Sequence, residues 1–190
     1  MGVFYYKDME NFKFLKNIDI AEILNNLNTF TEDDWLRDIS RSLKYKVHSN
    51  TNSLDILWDH DSLVNNTVGK KNEYNYNKID FDNIKNTLLH IYKKEYGDGK
   101  IIRAVIARLK PNSIIPEHKD GGYSLLTCKR THLPLQTNEN IIFSVGGEKK
   151  FLKLGELWEI DNSKSHSVEN NSNEYRIHLI VDYLKNDVTI

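Results

Sequence analysis

Glu174-Tyr175-Arg176-Ile177-His178-Leu179-Ile180-Val181-Asp182-Tyr183 is the clearest strand in the chain. Tyr175, Ile177, Leu179, Val181 and Tyr183 fall on one face, and Arg176, His178, Ile180 and Asp182 on the other. Upstream, Ile101 to Leu109 is β-branched and is stopped by Lys110-Pro111-Asn112. Arg130 to Leu135, Ile141 to Val145, Lys149 to Leu154 and Glu156 to Ile160 follow at close spacing. Many short strands separated by turn residues predict a sandwich or barrel.

The first half reads differently. Ile20, Ile23, Leu24 and Leu27 have helical spacing. Thr31-x-x-Asp34 predicts a capping box opening a helix with Trp35, Leu36, Ile39 and Leu43. Lys46 to Trp58 turns strand-like, and Asn65 to Asn77 reads as a polar loop. Asp80 to Tyr96 carries a broad apolar face and ends at Gly97-Asp98-Gly99. The expected fold is α+β: a double-stranded β-helix (cupin-like jelly roll) with N-terminal helices packed on it. The expected organisation is one domain over residues 1–190, with 1–99 a mostly helical support and 100–190 the jelly-roll strands.

Composition narrows the function. The 190 residues carry a net charge of −1 and are 39% hydrophobic, with no basic stripe, which argues against nucleic acid. The single cysteine, Cys128, excludes an intramolecular disulfide and a cysteine-rich zinc site. It makes a reducing, cytoplasmic compartment the expectation. No apolar run approaches the roughly 20 residues of a membrane span. The N-terminus lacks the pattern of a signal peptide.

The chemistry concentrates at His118-Lys119-Asp120 and at His166. On an extended segment His118 and Asp120 project to one side. Two imidazoles and one carboxylate on one face leave coordination positions open, the donor set of non-haem Fe(II) oxygenases. Arg176 lies on the opposite strand face from Tyr175 and Ile177, so if those two face one way it is expected to face the other, into the barrel, where a buried arginine needs a carboxylate. A cosubstrate carboxylate would meet that need; a structural ion pair would meet it equally. Trp158 is expected in the core, and Asn170 either caps the turn after His166 or lines the site.

From Arg103 onward the chain resembles the aspartyl/asparaginyl β-hydroxylase family. The resemblance rests on Ile114-Ile115-Pro116-Glu117-His118-Lys119-Asp120, Arg130-Thr131-His132-Leu133-Pro134-Leu135, Gly155-Glu156-Leu157-Trp158, His166-Ser167-Val168-x-Asn170 and Arg176 to Asp182, in that order. It implies an Fe(II)- and 2-oxoglutarate-dependent hydroxylase that consumes O2. His118, Asp120 and His166 would hold the metal, although animal members of the family resemble a two-histidine site without the carboxylate. Arg176 would bind the far carboxylate of 2-oxoglutarate, with Arg130 and His132 as further contacts. His132 reads also as a core histidine. The implied substrate is an amino acid, free or within a peptide, of the Asp/Asn or Pro type. Oligomeric state is not readable. A cupin-like metal-binding domain without oxygenase activity and an interaction module with a chance histidine cluster remain as other readings. Gly121-Gly122-Tyr123-Ser124 is a lid or an ordinary turn. Arg103 and Arg108 fall on opposite strand faces, so at most one faces the cavity, where it could bind a substrate carboxylate; surface placement is the expectation for both, and Tyr74 and Tyr76 are placed in a loop that could cover the site.

Overall fold

The structure is a computed structural model that describes residues 10–58, 70–121 and 127–186. Two antiparallel sheets form its frame. The larger holds β1 (Phe12–Asn17), β9 (Glu156–Ile160), β6 (Lys129–Gln136), β11 (Arg176–Lys185), β4 (Gly99–Leu109), β2 (Thr51–Trp58) and β3 (Lys70–Lys71), in that order. The smaller runs β5 (Ser113–His118), β10 (His166–Asn170), β7 (Ile141–Val145) and β8 (Glu148–Lys150). This is the α+β jelly-roll arrangement that the strand spacing predicts.

The alternation along β11 decides what lies on each side of the larger sheet. Ile177, Leu179, Val181 and Tyr183 join a core shared with Ile23, Trp35, Phe81, Leu88 and Tyr92 from the helices. Each such side chain removed from water contributes roughly 1.5–3 kcal/mol. The opposite face looks toward the smaller sheet. There Leu109, Ile115, Phe143, Val145, Ile160 and Val168 from both sheets make a second core. Arg176, His178 and Asp182 share that face of β11 and are all buried.

The helices are α1 (Ala21–Leu27), α2 (Glu32–Leu36), α3 (Ser40–Lys44), α4 (Glu73–Lys78) and α5 (Phe81–Tyr96), with a 3₁₀ turn at Lys46–His48. The Thr31–Asp34 capping box forms as expected. Its helix, however, ends at Leu36, and Leu36, Ile39 and Leu43 are exposed rather than core. Here helical spacing overstated burial: of the residues in α2 and α3, only Asp34 and Trp35 are fully buried. α5 ends at Gly97, whose φ of 87° favours glycine.

The first half contributes more than helices. β1 pairs with β9 at the sheet edge, and β2 pairs with β4. β1 has no counterpart in the sequence reading: Phe12-Lys13-Phe14-Leu15-Lys16-Asn17 alternates imperfectly, and a bulge lies between Phe14 and Lys16. α4 falls inside the stretch read as a loop; Asn72 caps it, its side chain accepting from the Asn75 backbone N–H. Of the strand read over Lys149 to Leu154, only the start is paired. Among the described residues, no helix is long and apolar enough to cross a membrane.

Candidate active site

His118 and His166 face each other across β5 and β10 as a cross-strand pair. Between that pair and Ile115–Val168 the register shifts, so β5 carries one extra residue over Pro116-Glu117. Pro116 cannot donate to the ladder, and a bulge there re-aims the residue that follows. The result is two imidazole rings 4.3 Å apart, centre to centre.

Both rings are oriented in the same way. His118 Nδ1 lies 2.7 Å from the Pro116 carbonyl and His166 Nδ1 lies 3.0 Å from the Lys164 carbonyl. A carbonyl only accepts, so each Nδ1 carries the proton and each Nε2 offers a lone pair. Asp120, two residues past the end of β5, puts Oδ2 3.8 Å from His166 Nε2. One ligand atom from each of His118, Asp120 and His166 lies within 4.8 Å of the others. Burial pushes the His166 pKa down, against the pull of Asp120, which favours the neutral form a metal requires.

Behind this triad two residues of β6 and β11 close the inner lobe. Arg176 is 2% exposed and has no carboxylate at ion-pair distance among the described residues. Its Nη2 donates to His178 Nδ1 at 2.8 Å, so His178 carries its proton on Nε2. Arg176 Nε, His178 Nε2 and His132 Nδ1 are all buried without a hydrogen-bond partner. Such a cluster costs roughly 1–3 kcal/mol per unmet group. Burial, then the charge of Arg41, lowers the Arg176 pKa to about 9. Burial and then Arg176 push His132 well below its usual range. His132 and Arg176 both line the inner lobe with His118, Asp120, His166 and Phe143. The orphaned donors and the positive charge suit an anionic ligand. The donor set of the triad suits a divalent metal that keeps open positions.

Arg130 is differently placed. Its Nε and Nη2 each donate to Asp182 at 2.8 Å, and its Nη1 bonds Asp120. Asp182 also accepts from Arg103 at 2.8 Å. Burial alone would lower the Arg130 pKa, but Asp182 and Asp120 hold it above the usual arginine value. Arg130 thus fixes the carboxylate of the triad as well as lining both lobes of the cavity.

An outer lobe of about 590 Å³ opens above the triad, within the range of small-molecule sites. Arg41, Tyr45, His48, Trp58 and Arg103 line it. Of the five, only Arg103 carries a sequence signal, as one of two arginines on opposite strand faces of which one could reach the cavity. Arg41, Tyr45 and His48 sit in a stretch without a motif, and only the return of the chain over β2 brings them here. Asp182 had a signal: it shares a face of β11 with Arg176, beyond His178 and Ile180.

Several expectations need correction. Arg103 and Arg108 are not at the surface; they are 6% and 4% exposed. Arg103 faces the outer lobe, and Arg108 faces the helices, where it pairs with Glu32. Tyr74 and Tyr76 do not cover the site: Tyr74 donates to Asp34, and Tyr76 is buried against Phe81. Asn170 caps rather than lines, its amide donating to the carbonyls of Lys110 and Glu174. Trp158 packs against the second core, as expected. Burial pushes the Cys128 thiol up, in keeping with a structural role. Of the Gly121-Gly122-Tyr123-Ser124 loop, the last three residues lie outside the described residues.

The sequence profile of aspartyl/asparaginyl beta-hydroxylases matches residues 20–186. The chain belongs to this family. It is therefore an enzyme of the oxygenase class. No curated protein sequence matches it. Among solved structures, it is similar to a 2OG-Fe(II) oxygenase family oxidoreductase from Burkholderia pseudomallei, with 17% identity and a TM-score of 0.56 over 70% of this chain and 66% of that one. It is similar to the non-heme monooxygenase ThoJ in its Ni complex, with 14% identity and a TM-score of 0.56 over 93% and 74%. It is also similar to the viral collagen prolyl hydroxylase of Paramecium Bursaria Chlorella virus-1 in its 2OG complex, with 12% identity and a TM-score of 0.57 over 94% and 97%. At these identities the likeness is one of fold, and the chain spans just under two thirds of the first of the three.

Proposed function

We propose that this hydroxylase uses Fe(II), 2-oxoglutarate and O2 to hydroxylate an amino acid, free or within a peptide. His118, Asp120 and His166 would hold the metal, and Arg176 the far carboxylate of 2-oxoglutarate. Bound together, the metal and cosubstrate supply the oxidising power, with 2-oxoglutarate giving succinate and CO2 as a C–H becomes C–OH. The observation that carries the reading is the buried Arg176, unpaired by any carboxylate among the described residues, in the same lobe as the histidine–aspartate triad.

The chain's own residues do the positioning. Pro116 and Lys164 carbonyls hold the two imidazoles with Nε2 forward. Arg130 steadies Asp120, and His178 orients Arg176. His132 offers a further polar contact deep in the lobe. Phe143 and Ile180 supply apolar wall in that lobe and would help exclude water around the reacting atoms.

The test is an anaerobic titration of metal-free protein with Fe(II) and then 2-oxoglutarate, followed by visible absorption. A weak charge-transfer band is expected in the parent and not in Arg176→Leu or His118→Ala. No band with iron bound and the protein folded would instead favour a cupin-like metal domain.

A further inference from the structure

Two of the four arginines that line the cavity are neutralised from within. Arg103 and Arg130 share Asp182, and Arg130 also bonds Asp120. Among the described residues, Arg176 and Arg41 have no such partner. A dication and a dianion bound together leave this balance unchanged, so the loaded site would still hold more guanidinium than carboxylate. 2-Oxoglutarate would answer Arg176. Among the described residues, no carboxylate at ion-pair distance answers Arg41.

Arg41 stands on α3 and lines both lobes, directly where the outer one meets the metal triad. Its Nη2 lies 3.3 Å from His48 Nε2. Arginine has no acceptor, so His48 Nε2 is the acceptor and His48 is neutral. Burial first, then Arg41 itself, lowers the His48 pKa to about 3. The His48 ring in turn stands edge-on to His118, 5.6 Å away. Arg41 is therefore held by a fixed, uncharged hydrogen bond, one residue removed from a metal ligand. The carboxylates that attract it, Asp55, Asp120 and Asp182, stand beyond ion-pair distance. Four donors of the guanidinium remain for a planar, two-oxygen partner.

We infer that the substrate carries a carboxylate and that Arg41, oriented by His48, is the residue that anchors it beside the metal. This rests on the proposed function and adds its substrate chemistry. The carboxylate is the main-chain carboxyl of a free amino acid or the side-chain carboxyl of an acidic residue in a peptide. Tyr45 and Trp58 supply the apolar wall of the same lobe.

The experiment uses the Fe(II)- and 2-oxoglutarate-loaded enzyme and two sets of probes. One set is the free L-amino acids; the other is the same residues as N-acetyl amides, in which only the aspartyl and glutamyl members keep a carboxylate. Each probe is read twice: by its perturbation of the anaerobic charge-transfer band and by its stimulation of succinate formation. The expected result is a response to carboxylate-bearing probes alone, with the responding set distinguishing free from peptidyl substrate. Arg41→Gln should then raise the apparent Kd and KM of the best probe roughly 30- to 100-fold, the loss of a charge-assisted pair. The band with 2-oxoglutarate alone should persist in that variant, which also certifies its fold. Arg41→Lys should recover part of the affinity, because it restores charge without the two-pronged geometry. An amide lacking a carboxylate that works as well as the acids overturns the inference. So does an unchanged Kd in Arg41→Gln, and so does silence from every probe while the band is intact. Absence of the band in the parent overturns the proposed function and the inference with it.

Discussion

Arg108 and Arg176 lie on neighbouring strands, where Arg108 pairs with Ile177 and Arg176 with Leu109, and both are buried. Their surroundings are opposite. Arg108 faces the helices, gives both Nη groups to Glu32 at 2.6 Å and Nε to Asn52 at 3.3 Å. Its guanidinium lies between the rings of Trp35 and Tyr175, 4.6 Å from each. Arg176 faces the smaller sheet, where among the described residues its polar and ring contacts are a neutral histidine and Phe143. Burial alone therefore says little about an arginine's role. What separates a fastening from a binding group is whether the fold supplies the anion.

That contrast can be broken experimentally. The largest effect is expected in Arg176→Leu, which should weaken 2-oxoglutarate binding by roughly 100-fold or more, the loss of two charge-assisted hydrogen bonds. The same change should leave the thermal midpoint of the cofactor-free protein equal or higher, because it removes a buried charge that lacks a partner. A marked fall in that midpoint would mean Arg176 is structural after all.

Asp182→Asn should come next, at roughly 3–5 kcal/mol in chemical denaturation, since it strips the shared carboxylate from two buried arginines. Burial would raise the Asp182 pKa, but Arg130, by charge and hydrogen bond, and Arg103 together hold it below its ordinary value. The unfolded chain therefore binds the proton more readily than the folded one. The stabilisation by Asp182 is complete above the ordinary aspartate pKa of about 3.9 and fades as pH falls through the lower folded value. The gap between parent and variant should hold from pH 5 to 8 and shrink below about pH 4.

Arg108→Leu should cost about 2 kcal/mol, because the Glu32 it leaves behind is solvent-exposed. Its 2-oxoglutarate affinity should stay within about twofold of the parent, the mirror image of Arg176→Leu. A substantial loss of affinity would show that the two faces of the sheet are coupled. The smallest effect belongs to Lys13→Ala: the Lys13–Glu95 pair is half exposed and should contribute under about 0.5 kcal/mol.

How much of this was legible in the sequence depends on the local pattern. β11 was readable because every second residue from Tyr175 to Tyr183 is apolar. His118, Asp120 and His166 were readable because metal donors are few and their spacing is tight. β1 was not, because an edge strand with a bulge and an exposed Phe14 lacks a clean period. The exposed apolar residues of α2 and α3 misled because helical spacing predicts a face and not what covers it. Arg41 and His48 were silent for a plainer reason. Their meaning comes from long-range chain return, which places them against residues some 70 positions away that no local window includes.

The paired histidines belong to the smaller sheet, while Arg176 belongs to the larger. The distance from the histidine pair to Arg176 is thus set by how far apart two packed layers stand, about 10 Å in sheet-on-sheet packing. On the proposed reading the barrel is a calliper. It gauges the length of a dicarboxylate by the thickness of its own interior, so a Phe143 or Ile180 of different size would change which chain length fits without touching a single polar group.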